Sequence, residues 1–153
     1  MELNPKIKEA LLDMQFVNRF EELSKTFSAE RTPSDKRLIY VDGEEVMDMI
    51  LRMGYTPLFN RKEKFYKIKE EHVDKYSFNF HICLRSGMVE LIWGVKENGE
   101  IISGAPWNAY PRLLVDPNYI IKYPFFGSYE DLEEILKIAF SMYEDLKRIV
   151  IKS

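Results

Sequence analysis

The chain has 153 residues, 46% of them apolar and 31% charged, with a net charge of −3. That length suits one domain with its own core, and that apolar share excludes a disordered chain. No like-charge block is long enough for an interaction tail, and apolar runs broken by Glu90, Lys122 or Pro124 exclude a span of about 20 apolar residues.

From Met1 to Lys6 no basic region precedes an apolar stretch, so no signal peptide is predicted. Cys83 is the only cysteine, so no internal disulfide is possible. Both points favour the cytoplasm.

Asn4 and Pro5 form a helix start, with asparagine as the cap and proline at the first helical position. Ile7, Leu11 and Met14 follow at helical spacing, and Phe16, Phe20, Leu23 and Phe27 continue after a phase shift near Gln15. One long, bent helix ending near Phe27 is predicted. Ser28 to Lys36 is a polar loop around Thr32-Pro33-Ser34-Asp35, and Arg37 to Val41 is a candidate strand.

Asp42-Gly43-Glu44-Glu45 opens a second helix with a capping-box arrangement, Asp42 capping the backbone and Glu45 reaching back. Val46, Met49, Ile50 and Met53 form its apolar stripe, and Gly54 stops it. Thr56–Phe59 and Lys64–Ile68 are predicted strands around a turn at Asn60–Glu63.

Residues 76 to 105 spell out a three-stranded antiparallel meander. Its turns are Ser86-Gly87 and Asn98-Gly99; Asn-Gly suits a type I′ turn, which needs positive φ at both central positions. Two-residue loops set Leu84 opposite Val89, Ile82 opposite Leu91, Phe80 opposite Trp93 and Phe78 opposite Val95. On the second hairpin Val95 faces Ile102 and Trp93 faces Gly104, the glycine making room for the indole. One face is then almost wholly apolar, which specifies the register.

Pro106 ends or turns the third strand. Trp107 to Phe126 is a packed, irregular excursion with a candidate strand at Arg112–Val115 or Tyr119–Tyr123. Ser128 caps the last helix, with Asp131 at the third position. Leu132, Ile135, Leu136, Ala139, Phe140, Tyr143, Leu146 and Val150 line one face of it. The sum is α+β in a single domain, 1–153: an antiparallel meander packed against amphipathic helices, with helices at both termini.

His81 and Cys83 share the polar face of the first meander strand, and the register sets Glu90 opposite Cys83. Residues i and i+2 sit about 6.5 Å apart along a strand, too far for ready proton transfer, so a half-buried thiol acting as a small hydrophobe is the simpler reading. No metal-ligand spacing occurs, and Gly94, Gly99 and Gly104 lie in strands or a turn rather than in a phosphate-binding loop. No catalytic residue, cofactor or metal is predicted, and the chain is read as a non-enzyme.

Two surface features remain. Arg61 to Lys69 interleaves five basic residues with Phe65 and Tyr66, the mix that binds single-stranded nucleic acid, although lysines on an edge hairpin also deter aggregation. Acidic residues cluster at two helix starts: Asp42, Glu44, Glu45 and Asp48, then Glu130, Asp131, Glu133 and Glu134. They either compensate helix dipoles or form an acidic surface that steers and docks a basic partner.

The order of elements resembles the immunity proteins of bacterial contact-dependent growth-inhibition systems. A long first helix, a short strand and helix, the meander (Phe78-x-Phe-x-Ile-x-Leu84, Val89-Glu-Leu-Ile-Trp-Gly-Val95, Ile101-Ile-Ser-Gly-Ala-Pro-Trp107) and a last amphipathic helix are similar to the Neisseria-type member. That resemblance implies a Whirly-like fold and a cognate secreted toxin of the EndoU-like RNase type as partner. It implies inhibition by occlusion of the toxin's active site, with the eight acidic residues as the expected interface. The Whirly Lys-Gly-Lys-Ala-Ala nucleic-acid motif is absent. The expected protein is a monomer with no membrane partner; the alternative is a single-stranded nucleic-acid-binding module using Arg61 to Lys69.

Overall fold

The computed structural model describes residues 2–153. Helices α1 (Pro5–Asp13) and α2 (Phe16–Thr26) lead, a 3-10 turn spans Ser34–Lys36, and α3 covers Gly43–Arg52. Six strands follow: β1 (Pro57–Asn60), β2 (Phe65–Ile68), β3 (Glu71–Val73), β4 (Tyr76–Arg85), β5 (Met88–Glu97) and β6 (Glu100–Ser103). The short α4 (Ala109–Leu114) and the long α5 (Tyr129–Lys152) complete an α+β chain. Among the described residues no helix is long and apolar enough to cross a membrane.

The sheet is antiparallel in the order β1-β2-β4-β5-β6, and β3 shares the β2 edge of β4. The β4–β5 register is the predicted one, from Leu84 opposite Val89 to Phe78 opposite Val95. Both turn pairs have left-handed backbones, Ser86 and Gly87 at φ 49° and 81°, Asn98 and Gly99 at φ 52° and 82°, as type I′ turns demand.

The second hairpin departs from expectation. A register shift between Val95 and Lys96 sets Val95 opposite Ser103 rather than Ile102. Beyond that bulge the Trp93 N–H donates to the Ala105 carbonyl, so Gly104 does not face the indole. A Cβ on Gly104 would meet only Ile101 Cγ2, at 3.6 Å. The edge of β5 is then completed by chain from outside the strands: Trp107 N–H donates to Leu91 O, and Val89 N–H to Pro124 O.

Four other expectations are corrected. The first helix breaks in two, because Gln15 sits in the left-handed region (φ 55°, ψ 48°) and re-phases the apolar stripe from Ile7, Ala10 and Leu11 to Phe16, Phe20 and Leu23. Arg37–Val41 is no strand: in that stretch only Leu38 N–H joins a distant carbonyl, that of Phe126. Arg112–Val115 overlaps the end of α4, whose Pro111 lies in the first turn, where a proline is tolerated. Tyr119–Tyr123 has no regular structure, whereas β3 is a strand not foreseen.

Asn4, Asp42 and Ser128 cap α1, α3 and α5 as predicted, accepting from the N–H groups of Lys6, Glu44 and Asp131. Glu45 does not close the capping box, because the Asp42 N–H instead donates to Tyr129 Oη at 2.8 Å.

The core lies between one sheet face and the helices. Phe78, Phe80, Ile82, Leu91, Trp93 and Val95 point into it, as do the eight apolar α5 residues anticipated from the sequence. Its centre is aromatic: Phe16 meets Trp107 edge-on at 5.2 Å, and Trp93 meets Trp107 at 4.9 Å. Lys147 ties α5 to β3, its ammonium 2.8 Å from both Glu71 and Glu144, while Tyr143 Oη donates to the same Glu71 oxygen at 2.6 Å.

Candidate functional site: an acidic, aromatic edge

The two acidic helix starts lie side by side. Tyr129, at the start of α5, accepts the Asp42 N–H, and Arg52, at the end of α3, reaches Glu133 at 3.1 Å. This arrangement divides the eight acidic residues. Asp42 is committed as a cap, Asp131 pairs with Arg31 at 3.1 Å, and Glu133 pairs with Arg52. Glu44, Glu45, Asp48, Glu130 and Glu134 are exposed, and among the described residues none has an ion-pair partner within 4.0 Å. Helix-dipole compensation accounts for acidic residues in first turns, but it leaves these five carboxylates available to a partner.

Apolar side chains border α3. Tyr40 is 90% exposed on the loop leading into the helix, next to Ile39. Phe59, on β1, is 42% exposed. Strand alternation turns it toward the helix side of the sheet, because Phe59 pairs with Tyr66 and Tyr66 with Ile82, which is in the core. Between this edge and α3 runs a cleft of about 690 Å³ lined by Val41, Asp42, Gly43, Glu44, Met47, Phe59 and Tyr66. The rings of Phe59 and Tyr66 lie 4.8 Å apart. Burial, and then the Asp42 carboxylate, push the Tyr66 hydroxyl above the usual tyrosine range.

The sequence did not single out these aromatic residues as companions of the acidic helix starts. Phe59 read as an ordinary strand position, Tyr66 as part of the basic Arg61–Lys69 segment, and Tyr40 belonged to a strand that does not form. The one usable signal was the Asn60–Glu63 turn, which aligns Phe59 with Tyr66 across the hairpin.

The opposite sheet face carries the other candidates. Cys83 does face Glu90, and His81 shares their side. His81 is instead stacked on Phe65, with ring centroids 4.5 Å apart at 19°, and lies opposite Lys67. Burial pushes the Cys83 thiol up, with Glu90 adding to it, which opposes thiolate formation. No hydrogen bond joins His81 to Cys83 among the described residues, and no group of three metal-ligating side chains occurs there.

A cavity of about 260 Å³ on that face runs past Asn79, His81, Ile92, Gly94, Lys96 and Ile101. Two of its polar groups are held by Glu70 beside it: Asn79 Nδ2 donates to Glu70 at 3.0 Å, and Lys96 lies 3.5 Å from the same oxygen. In the basic segment Arg61, Lys62 and Lys64 are exposed in the turn, and Phe65 and Lys67 face outward. Tyr66 and Ile68 point into the core.

Burial, reinforced by Lys67, holds His81 below the ordinary histidine pKa. The unfolded chain therefore takes up this proton more readily than the folded one. His81 lowers stability as pH falls from about 6.5 toward its depressed folded value, and costs nothing above that range. Urea unfolding at about pH 7.5 and about pH 5 should show a larger loss for the wild type than for His81→Gln. Superimposable losses would refute a buried neutral imidazole.

No family model, no curated protein and no solved structure matches this chain.

Proposed function

We propose that the protein is an immunity protein that binds a cognate secreted nuclease toxin, an RNase, one to one and neutralises it by occluding its active site. The observation that carries this reading is the acidic, aromatic edge: five exposed carboxylates with no ion-pair partner among the described residues, beside exposed Tyr40 and Phe59. An RNase site must be electropositive to hold phosphate. A surface of opposite sign accelerates encounter with it, and exposed aromatic side chains are the residue type that most often slows release. Such a protein acts by binding and needs neither cofactor nor catalytic group.

The test is co-expression with the toxin encoded directly upstream. Protection of the host cell and one-to-one co-purification are expected. A neighbouring reading frame that is no toxin, together with no protection, sinks the reading.

A second reading, a single-stranded nucleic-acid-binding module, is favoured by the outward placement of Phe65 and Lys67 beside the exposed Arg61, Lys62 and Lys64. Tyr66 lies on the opposite sheet face from Phe65 and Lys67, so the two aromatic residues of the segment cannot form one stacking platform. This reading expects binding to an oligonucleotide that weakens steeply with salt, and a flat titration at low salt removes it.

A further inference from the structure

We infer that the cavity on the sheet face turned away from the helices binds a nucleotide-sized ligand, a flat heteroaromatic base carrying a phosphate. The base lies between His81 and Ile101, and the phosphate lies toward Lys96. This face is opposite the acidic edge, so the inference is independent of the immunity reading; a single strand as the source of the nucleotide rests on the nucleic-acid reading.

The first observation is a gap in a row of side chains. Along the order β2-β4-β5-β6 this face carries Phe65, His81, Gly94 and Ile101. Phe65 covers one side of the imidazole, with ring centroids 4.5 Å apart at 19°, and the cavity lies on the other side. β4 and β6 stand two strand spacings apart, roughly 9.5 Å. Gly94, on the strand between them, has no side chain to fill that distance, so a slot for one flat ring stays open. A ring in the slot extends the Phe65–His81 stack by one layer. It also covers Ile101, an isoleucine otherwise 72% exposed.

Size and polarity narrow the ligand. The cavity holds about 260 Å³. Sites for drug-sized molecules run from about 300 to 1,000 Å³, so this one suits a single ring system. A Cβ on Gly94 would stand 3.3 Å from Asn79 Nδ2, so the amide reaches over the cavity floor. Glu70 accepts from that nitrogen at 3.0 Å, which leaves the amide oxygen to accept from an amino group such as that of adenine.

Charge decides the remaining group. Among the described residues Lys96 is the only charged side chain lining the cavity. Its 3.5 Å approach to Glu70 is longer than the roughly 2.8 Å of a charge-assisted hydrogen bond, and both side chains are about one-third exposed, so the pair is weak and a phosphate can compete for it. Lys67, opposite His81, adds a second cation to the face, and Arg61, Lys62 and Lys64 stand exposed in the adjoining turn, against Glu63 and Glu70. The substituent on the ring is therefore an anion.

The probe is adenosine 5′-monophosphate, titrated into the ¹⁵N-labelled protein beside adenosine and ribose 5-phosphate. Saturable shifts are expected at the amides of Asn79, His81, Gly94 and Lys96, with a dissociation constant on the order of millimolar. Adenosine should shift the same amides about fivefold more weakly, and ribose 5-phosphate should not saturate. Ile101→Ser, at an exposed position, should weaken the nucleotide and adenosine alike without lowering the unfolding midpoint. Lys96→Gln should weaken the nucleotide and leave adenosine unchanged.

Equal shifts with ribose 5-phosphate, shifts that fall elsewhere and ignore Ile101→Ser, or an equal loss of nucleotide and adenosine in Lys96→Gln each overturn the proposal. An oligo(dA) strand supplies the last arm. Binding at least about tenfold tighter than the mononucleotide, and weakened by Ile101→Ser, supports the cavity with a strand as its source. Binding no tighter than the mononucleotide supports a free nucleotide and removes the nucleic-acid reading. Strand binding that ignores Ile101→Ser, with no mononucleotide shifts, keeps that reading and discards the cavity.

Discussion

Replacing Phe16 with alanine is expected to lower the free energy of unfolding by about 3–5 kcal/mol, the usual cost of deleting a large aromatic from a packed interior. Phe16 is fully buried as the first residue of α2, and its ring lies 5.2–5.8 Å from those of Phe20, Trp93, Trp107 and Tyr110. Truncation leaves a cavity walled by two indoles and two further rings, which are too rigid to collapse into it, and removes edge-to-face contacts along with buried area. Because domains of this size are stable by about 5–15 kcal/mol, a single deletion consumes a large share of the total. Urea unfolding followed by tryptophan fluorescence should show a lower midpoint at an unchanged slope. Leu12→Ala, at a side chain 57% exposed on α1, should shift stability by less than about 0.5 kcal/mol. A Phe16→Ala loss as small as that of Leu12→Ala would mean that the aromatic cluster is not the centre of the core.

The second large effect concerns the proposed partner. Changing Glu44, Glu45 and Asp48 together to lysine should slow association with the toxin by about 10- to 100-fold, with a smaller change in dissociation. These residues are exposed and have no ion-pair partner among the described residues, so their charge is free to act as long-range attraction. The wild-type rate should fall steeply with added salt and the variant rate much less, since ions screen the same field that the substitutions remove. Asp42 is left intact because it caps α3. The lost first-turn carboxylates cost the helix about 0.3–1 kcal/mol each, so circular dichroism must first confirm the fold. Glu9→Lys, exposed on α1 and outside the cleft, should associate as the wild type does. Stopped-flow mixing reads all of these rates; a triple variant with an unchanged association rate would remove the acidic residues of α3 from the interface.

The features legible in the sequence are those set by neighbours a few residues apart. Asn4, Asp42 and Ser128 cap helices because a short polar side chain meets an N–H two or three residues on. The β4–β5 register follows from a turn pair with positive φ and from alternation, both local. The break at Gln15 was visible only as a phase shift, because a glutamine carries no propensity for the left-handed region; the packing of Phe16 against Trp93, Trp107 and Tyr110 accompanies it. The bulge after Val95 was invisible for a related reason: Asn98-Gly99 determines the turn, but the pairing beyond it follows the route by which Ala105 and Trp107 reach Trp93 and Leu91.

The candidate site divides the same way. Eight acidic residues at two helix starts could be read from the chain, as could their aptness for first turns. Which of them remain available could not, since Asp131 is neutralised by Arg31 from 100 residues away and Glu133 by Arg52 from 81 residues away. The cleft beside them needs Asp42, Phe59 and Tyr66, brought together from a helix cap and two strands. Local backbone and capping energies act over a few residues and are written in the order of the chain. Ion pairing, burial and the joining of charge to aromatic surface depend on distances in space, which exist only once the sheet and helices have packed.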